Sequence, residues 1–233
     1  MTTEAHGKHR AVRSYVLRQG RMTASQERAL DQLWGRFGVE PTQQPLDLDA
    51  LFKREAPRVL EIGFGDGENL ITQALAHPEH DFIGIEVHAP GVGRVLNQID
   101  ALEISNVRVL RHDAVEVLER MIPRTSLAKI QLFFPDPWPK KRHHKRRLVQ
   151  PDFVFLLSER VGAGGLLHFA TDWADYAAQM LAVLDQCPAL RNTEAGGGFA
   201  TAPPPRASTR FERRGLRLGH AVFDLVYTRA YPA

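Results

Sequence analysis

One stretch of the chain reads Glu61-Ile62-Gly63-Phe64-Gly65-Asp66-Gly67, directly after the apolar run Val59–Ile62 and before a helical repeat. Glycines between a strand and a helix let the backbone turn sharply and let a ligand approach the main chain. A dinucleotide site spaces them G-x-G-x-x-G, the last one packing helix on strand. Here the spacing is G-x-G-x-G, and Glu61, Asp66 and Glu68 crowd the turn. A pyrophosphate at this helix N-terminus would meet that negative charge, whereas a sulfonium carrying an amino-acid ammonium group would be attracted by it. The acidity therefore favours S-adenosylmethionine over NAD. Asp66 and Glu68 taken alone read as ordinary first-turn acids. Glu86 ends the next apolar run, where a carboxylate accepts hydrogen bonds from ribose hydroxyls. Asp113 is read as ending the third, placed for an adenine amino group.

A second constellation is Pro135-Asp136-Pro137-Trp138-Pro139-Lys140, after the apolar run Ile130–Phe134. Prolines on both sides of Asp136 stiffen the chain around its carboxylate, and Trp138 offers a flat surface for a base. The same segment continues as Lys141-Arg142-His143-His144-Lys145-Arg146-Arg147. A rigid acid and an aromatic joined to a basic run suit a nucleobase carried on a phosphate backbone. His143 and His144 have no carboxylate or cysteine set beside them, so no metal site is expected.

Alternating elements must position these residues. Thr23-x-x-Gln26 has the form of a capping box, and Ala29, Leu30, Leu33, Trp34 and Phe37 recur at helical spacing, which predicts one helix from Ala24 to Phe37. Strands are predicted at Val59–Ile62, Phe82–Glu86, Val107–Leu110, Ile130–Phe134 and Leu166–Ala170. Helices are predicted between them and over Trp173–Leu184. That order implies a parallel sheet covered on both faces, with ligands beyond the carboxyl ends of its strands. Val222–Thr228 is strand-like and is expected to close the sheet. Residues 1–50 read as a basic arm and helix, and 51–233 as the main domain.

The 233 residues and 43% apolar content suffice for one α/β domain with a short extension. No apolar run approaches the ~20 residues of a membrane span, and no secretory signal is evident behind the basic N-terminus. The lone Cys187 forms no internal disulfide, so a cytoplasmic location is expected. Three segments concentrate positive charge: Lys8–Arg21 with five basic residues, Lys140–Arg147 with six, and Arg206–Arg217 with five against Glu212. They hold +15 of a chain total of +3, which leaves −12 on the remainder. Basic patches on an acidic body suggest a nucleic-acid partner. No obligate protein partner is evident, and a monomer is favoured.

In these residues and their spacing the chain resembles the bacterial tRNA (guanine-N7-)-methyltransferase family. PDPWPKKRHHKRR, EIGFGDG, RSYVLRQGRMT, ATDW and STRFERRG carry the likeness, from about Arg13 to the C-terminus. The resemblance implies a Rossmann-like class I methyltransferase fold, a doubly wound, mostly parallel α/β sheet with an antiparallel C-terminal strand. It implies methyl transfer from S-adenosylmethionine to N7 of guanine, at position 46 in the tRNA variable loop; another RNA is the alternative substrate. Glu61, Gly63, Gly65, Glu86, Asp113 and Asp136 are then cofactor-binding, and Asp136 is also catalytic. Lys140, Asp172, Thr209, Arg210, Phe211 and Glu212 are substrate-binding, and Arg142, His143, His144, Lys145, Arg146 and Arg147 contact RNA. Two of these assignments compete with plainer readings: Asp172 as the N-cap of the helix that follows, and Thr209–Glu212 as a surface turn.

Overall fold

The computed structural model describes residues 14–15 and 20–230, so most of the expected N-terminal arm lies outside the described residues. The first helix, α1 (Ala24–Gln32), starts at the predicted capping box. Gln26 N–H donates to Thr23 Oγ1 at 3.3 Å and Thr23 N–H to Gln26 Oε1 at 2.9 Å. The single helix expected to Phe37 is interrupted at Leu33 and resumes as α2 (Trp34–Phe37). There Gly35, a weak helix former, sits in the short second piece. Asp47 caps α3 (Leu48–Phe52), accepting from Ala50 N–H at 2.9 Å.

The main layer then alternates: β1 (Arg58–Ile62), α4 (Glu68–Ala76), β2 (Asp81–Ile85), α5 (Ala89–Ala101), β3 (Val107–Leu110), α6 (Ala114–Arg120) and β4 (Leu127–Phe133). After a 3-10 segment at Lys141–Arg146 come α7 (Pro151–Arg160), β5 (Val161–Thr171), α8 (Ala174–Asp185), β6 (Leu190–Asn192), α9 (Arg210–Arg217) and β7 (Phe223–Arg229). The strands form one sheet in the order β3-β2-β1-β4-β5-β7-β6. Strands β1 to β5 pair in parallel, and β7 runs antiparallel between β5 and β6. So the C-terminal strand does not lie at the sheet's edge. Three residues of β6 lie outside it, a strand too short to show a two-residue period in sequence.

Because the strands are covered on both sides, they read as apolar runs rather than alternations. One core lies between the sheet and α3, α6, α7 and α8, with Leu60, Ile83, Leu157 and Tyr176 sealed from solvent. The other lies under α1, α2, α4 and α5, around Leu70, Val95, Leu96 and Ile99. Burying each such side chain contributes ~1.5–3 kcal/mol. Helix α1 rests directly on α5, because Gly93 offers no side chain there: a Cβ would come within 2.7 Å of the Gln26 carbonyl oxygen.

Candidate functional site: a cofactor cleft and a basic rim

Strand order reverses between β1 and β4, and a doubly wound sheet opens a crevice at that switch point. A cavity of about 400 Å³ lies there, lined among others by Gly63, Gly65, Glu86, His88, His112 and Asp136. Gly63 and Gly65 hold φ of +71° and +55°, and a Cβ at either would meet nothing within 4 Å. Backbone conformation rather than crowding is what calls for glycine at these two positions.

Glu86 ties this loop to the end of β2. Its Oε2 accepts from Gly65 N–H at 2.9 Å, and its Oε1 from Val87 and His88 N–H at 2.7 and 2.9 Å. A carboxylate oxygen holds two lone pairs, so Oε1 is filled and Oε2 keeps capacity for one more donor. Glu61 is only 4% exposed. Burial pushes its carboxyl up to about 7, opposed by the Asn69 amide, which donates to it at 2.8 Å, and by Lys129. Glu61 lines a smaller recess of about 60 Å³ shared with Asn69, Phe134, Thr209 and Arg210. Asp113 does not end its strand. It caps α6, accepting from Val115 and Glu116 N–H at 2.8 and 3.4 Å, while its neighbours His112 and Ala114 line the cavity. Asp66 and Glu68 face arginines of the C-terminal segment: Arg213 lies 2.7 Å from Glu68 and Arg210 3.7 Å from Asp66.

The chain leaves β4 through two left-handed residues, Phe134 at φ +51° and Trp138 at φ +44°, on either side of the exposed Asp136. Non-glycine residues in this region cost ~1–3 kcal/mol each and persist only where surroundings enforce them. Here the Phe134 amide bonds the Ala170 carbonyl at 2.8 Å, and the Trp138 indole N–H bonds the Ser14 carbonyl at 3.0 Å. Arg146 lies over the Trp138 ring at 4.9 Å and His143 meets it edge-on at 5.7 Å. The indole is therefore engaged by its own loop and by the arm. Desolvation and then the charges of Arg142, Arg146, Lys140 and Lys145 hold the His143 imidazole below its ordinary pKa.

Lys140, Lys141, Arg142 and Lys145 are exposed. Arg147 departs from the expected RNA contact. It is 2% exposed and lies over the Tyr176 ring at 4.8 Å. Its guanidinium donates to the Pro137 carbonyl at 2.8 Å, Gln179 Oε1 at 2.6 Å and Asp175 Oδ2 at 2.5 Å. This cation fastens the Asp136 loop to α8 and presents nothing to solvent.

Asp172 is not the cap of α8, whose N-cap is Trp173 and which has no side-chain cap hydrogen bond. Its carboxylate faces α9, 3.3 Å from His220 Nδ1, and a Cβ on Gly215 would meet its Oδ2 at 2.6 Å. Thr209–Glu212 is not a surface turn but the capped start of α9. Glu212 N–H donates to Thr209 Oγ1 at 3.2 Å and Thr209 N–H to Glu212 Oε2 at 3.3 Å. The T-x-x-E spacing carries this signal in sequence. Arg210 is exposed and lines the cavity, and the side chain of Phe211 lies outside the described residues. Asn69, Arg206 and Gly91 belong to the site's framework but carry no sequence motif of their own.

The geometry brings Glu61, Gly63, Gly65, Glu86, Asp136, Thr209 and Arg210 to one cleft with a basic rim. It fits a donor with a cationic amino acid at one end and a nucleoside at the other, because the recess by Glu61 is acidic and buried while Glu86 stands at the next strand end. Among the described residues, the His, Cys, Asp and Glu group able to share a metal ion is the exposed His77 and Glu79 with the half-buried His80, just before β2. No described helix is long and apolar enough to cross a membrane.

Residues 55–225 match the family described as "Putative methyltransferase". A protein of Alkalilimnicola ehrlichii named tRNA (guanine-N(7)-)-methyltransferase is 57% identical over 222 residues, covering 94% of this chain and 93% of its own. A Thiobacillus denitrificans protein of the same name is 55% identical over 229 residues, covering 98% and 100%. Among solved structures, the antibiotic-resistance methyltransferase Kmr superposes with a TM-score of 0.56 at 18% identity, covering 84% of this chain and 96% of its own. The 16S rRNA methyltransferase KamB gives 0.54 at 16%, covering 84% and 99%. These two likenesses are of fold.

Proposed function

Since the chain belongs to the tRNA (guanine-N(7)-)-methyltransferase family, we propose that its cleft carries out that reaction, with the guanine of the tRNA variable loop as acceptor and the cytoplasm as its place of work. The observation that carries this reading is the union, in one cleft, of the glycine turn, the acidic strand ends and the basic loop that continues from Asp136. S-adenosylmethionine supplies the methyl group. Glu61 would hold its ammonium, Glu86 its ribose, and the segment at Asp113 its adenine.

Guanine N7 carries an in-plane lone pair and no proton, so no general base has to remove one. The protein's task is alignment, which supplies ~7–11 kcal/mol of a barrier when the reacting atoms are held at near-attack distance. Asp136, fixed between two left-handed residues, favours electrostatically the positive charge that develops on the purine. Thr209 and Arg210 line the recess beside Glu61; their turn, Thr209–Glu212, and Asp172 would hold the base, while Lys140, Lys141, Arg142 and Lys145 would take phosphates around it. N7 faces the deep, narrow groove of A-form RNA, which favours a guanine in an irregular part of the tRNA. Mass spectrometry of nucleosides from bulk tRNA incubated with the protein and S-adenosylmethionine tests the proposal. It expects 7-methylguanosine; methylation of another base overturns it.

Phosphate contact by exposed cations releases counterions. Affinity for tRNA should therefore fall by at least about tenfold between ~50 and 200 mM salt, read by filter binding. The Lys141→Ala/Arg142→Ala/Lys145→Ala variant should show a shallower salt slope.

The buried Glu61 gives a pH dependence. Folded, it keeps its proton up to about 7; unfolded, it releases it near 4.5. Its ionisation therefore opposes folding, and its contribution to stability falls as pH climbs through that window. A ligand ammonium held by Glu61 needs the carboxylate. S-adenosylhomocysteine affinity should thus rise as pH approaches 7, by up to about tenfold per unit, and level off above it. Titration calorimetry reads this, and Glu61→Gln should flatten the curve.

A further inference from the structure

A chain of buried charged groups lies behind the cleft, and none of them belongs to the residues named so far as cofactor- or RNA-binding except its last. His168 on β5 is sealed from solvent, and its Nε2 lies 2.7 Å from Asp224 Oδ1 on β7. The carboxylate only accepts, so the imidazole donates from Nε2. Asp224 accepts in turn from Arg206, at 3.0 Å from Nε and 3.2 Å from Nη2. The same guanidinium pairs with both oxygens of Glu212, Nη1 at 2.6 Å and Nη2 at 2.9 Å. The side chains of Arg206, Asp224 and Glu212 are 8, 9 and 13% exposed. Arg206 also lies 5.4 Å from the rings of both Phe133 and Phe134, the residues that lead into Pro135 and Asp136. One residue further, Ala207 N–H donates to Asn69 Oδ1 at 3.0 Å, and Asn69 holds Glu61.

Ion pairs removed from water give little net stability, since desolvation offsets their attraction. A planar guanidinium that forks toward two carboxylates at once does fix geometry, because both pairs are directional. Arg206 thereby joins three parts that must keep register: the end of β4 that leads into Asp136, the paired strands β5 and β7 through His168 and Asp224, and the first turn of α9 that carries Thr209–Glu212. We propose that Arg206, anchored by Asp224 and His168, is a positioning residue for methyl transfer, setting the separation between the Asp136 loop and the α9 turn that holds the target base. The proposal rests on the reading of Thr209–Glu212 as that base-holding turn.

Asp224→Asn tests it, since Asp224 lies on β7 behind Arg206 and its replacement by an isosteric neutral group removes the anchor with little change of shape. Turnover is expressed per S-adenosylhomocysteine-binding site, so that lost folding is not counted as lost catalysis. The expected result is a kcat per site lower by about tenfold and a KM for tRNA raised several-fold, with S-adenosylhomocysteine affinity within about twofold of the parent, because a small misplacement of aligned groups is costly. Arg206→Lys, which keeps the charge but not the fork, should do the same, and the double variant should lose no more than the worse single, as members of one unit do. Wild-type kcat per site and KM in Asp224→Asn would overturn the proposal, as would losses that multiply in the double variant. Arg210→Ala separates the underlying reading: Arg210 is exposed on the same turn and takes no part in the network. If its loss leaves the KM for tRNA unchanged, the turn does not hold substrate and the proposal falls with that reading. If it raises KM while Asp224→Asn does not, only the positioning role falls.

Discussion

Asp136→Asn should lower kcat by about a hundredfold or more while S-adenosylhomocysteine affinity stays within about tenfold. The substitution keeps size and shape and removes one negative charge. Neighbouring residues help to hold the loop that carries it. Phe134 and Trp138 take up left-handed conformations on either side, the Phe134 amide is bonded to Ala170, and Arg147 grips the Pro137 carbonyl. An asparagine should therefore sit where the aspartate sat, and the loss reports on electrostatics rather than on a displaced loop. The proposed acceptor has no proton to give up, so the missing charge acts on the developing positive charge of the purine and on placement of the base. Single-turnover rates at saturating tRNA measure this directly. A rate within about threefold of the parent would mean that the carboxylate stabilises nothing specific to the transition state.

Gly91→Ala should abolish measurable cofactor binding, weakening S-adenosylhomocysteine by about a hundredfold or more. Gly91 lies in the first turn of α5 and lines the cavity. A Cβ there would stand 2.3 Å from the Gly65 carbonyl oxygen and 3.2 Å from its carbon. These are backbone atoms, so no rotamer change relieves the overlap. Either the helix start or the glycine turn has to move, and the turn is the part bonded to Glu86 through Gly65 N–H. Overpacking of this kind costs ~1–3 kcal/mol, which for a chain of this size lowers Tm by ~2–12 °C. Binding should thus be lost while a folded protein remains. Gly196→Ala is the matching control: a Cβ there meets nothing within 4 Å, and affinity and Tm should both match the parent.

The two glycines of the turn and the acids Glu61, Glu86 and Asp136 were legible because strand, turn and acid lie next to one another in the chain. The Thr23 capping box and the parallel strands were legible for the same reason, each being a local pattern. Arg147 shows where that legibility ends. In sequence it is the last of six basic residues, indistinguishable from Lys145 or Arg146. Only the fold brings Gln179 and Asp175, some thirty residues on, within reach of its guanidinium and turns a surface cation into a buried clamp. Asp172 behaves alike: it precedes a helix, as an N-cap would, but its carboxylate turns to Gly215 and His220 of the C-terminal segment instead. Helix α9 hid because five of its eight residues are charged and Phe211 and Leu216 are its only large apolar residues, too few to mark a recurring apolar face. Its start was nevertheless written in Thr209-x-x-Glu212. Arg206 had no local signature, since its two carboxylates lie at separations that match no helical or strand spacing, Glu212 six residues on and Asp224 eighteen.

The account stands on methyl transfer to one ring nitrogen of a guanine that the basic rim presents to Asp136. The most direct measurement uses tRNA transcripts assembled with 7-deazaguanosine at the variable-loop guanine, where a carbon replaces the nitrogen and its lone pair. With labelled S-adenosylmethionine, the natural transcript should accept label and the substituted one should accept none, although both bind with equal affinity. Label in the substituted transcript equal to that in the natural one would contradict the account.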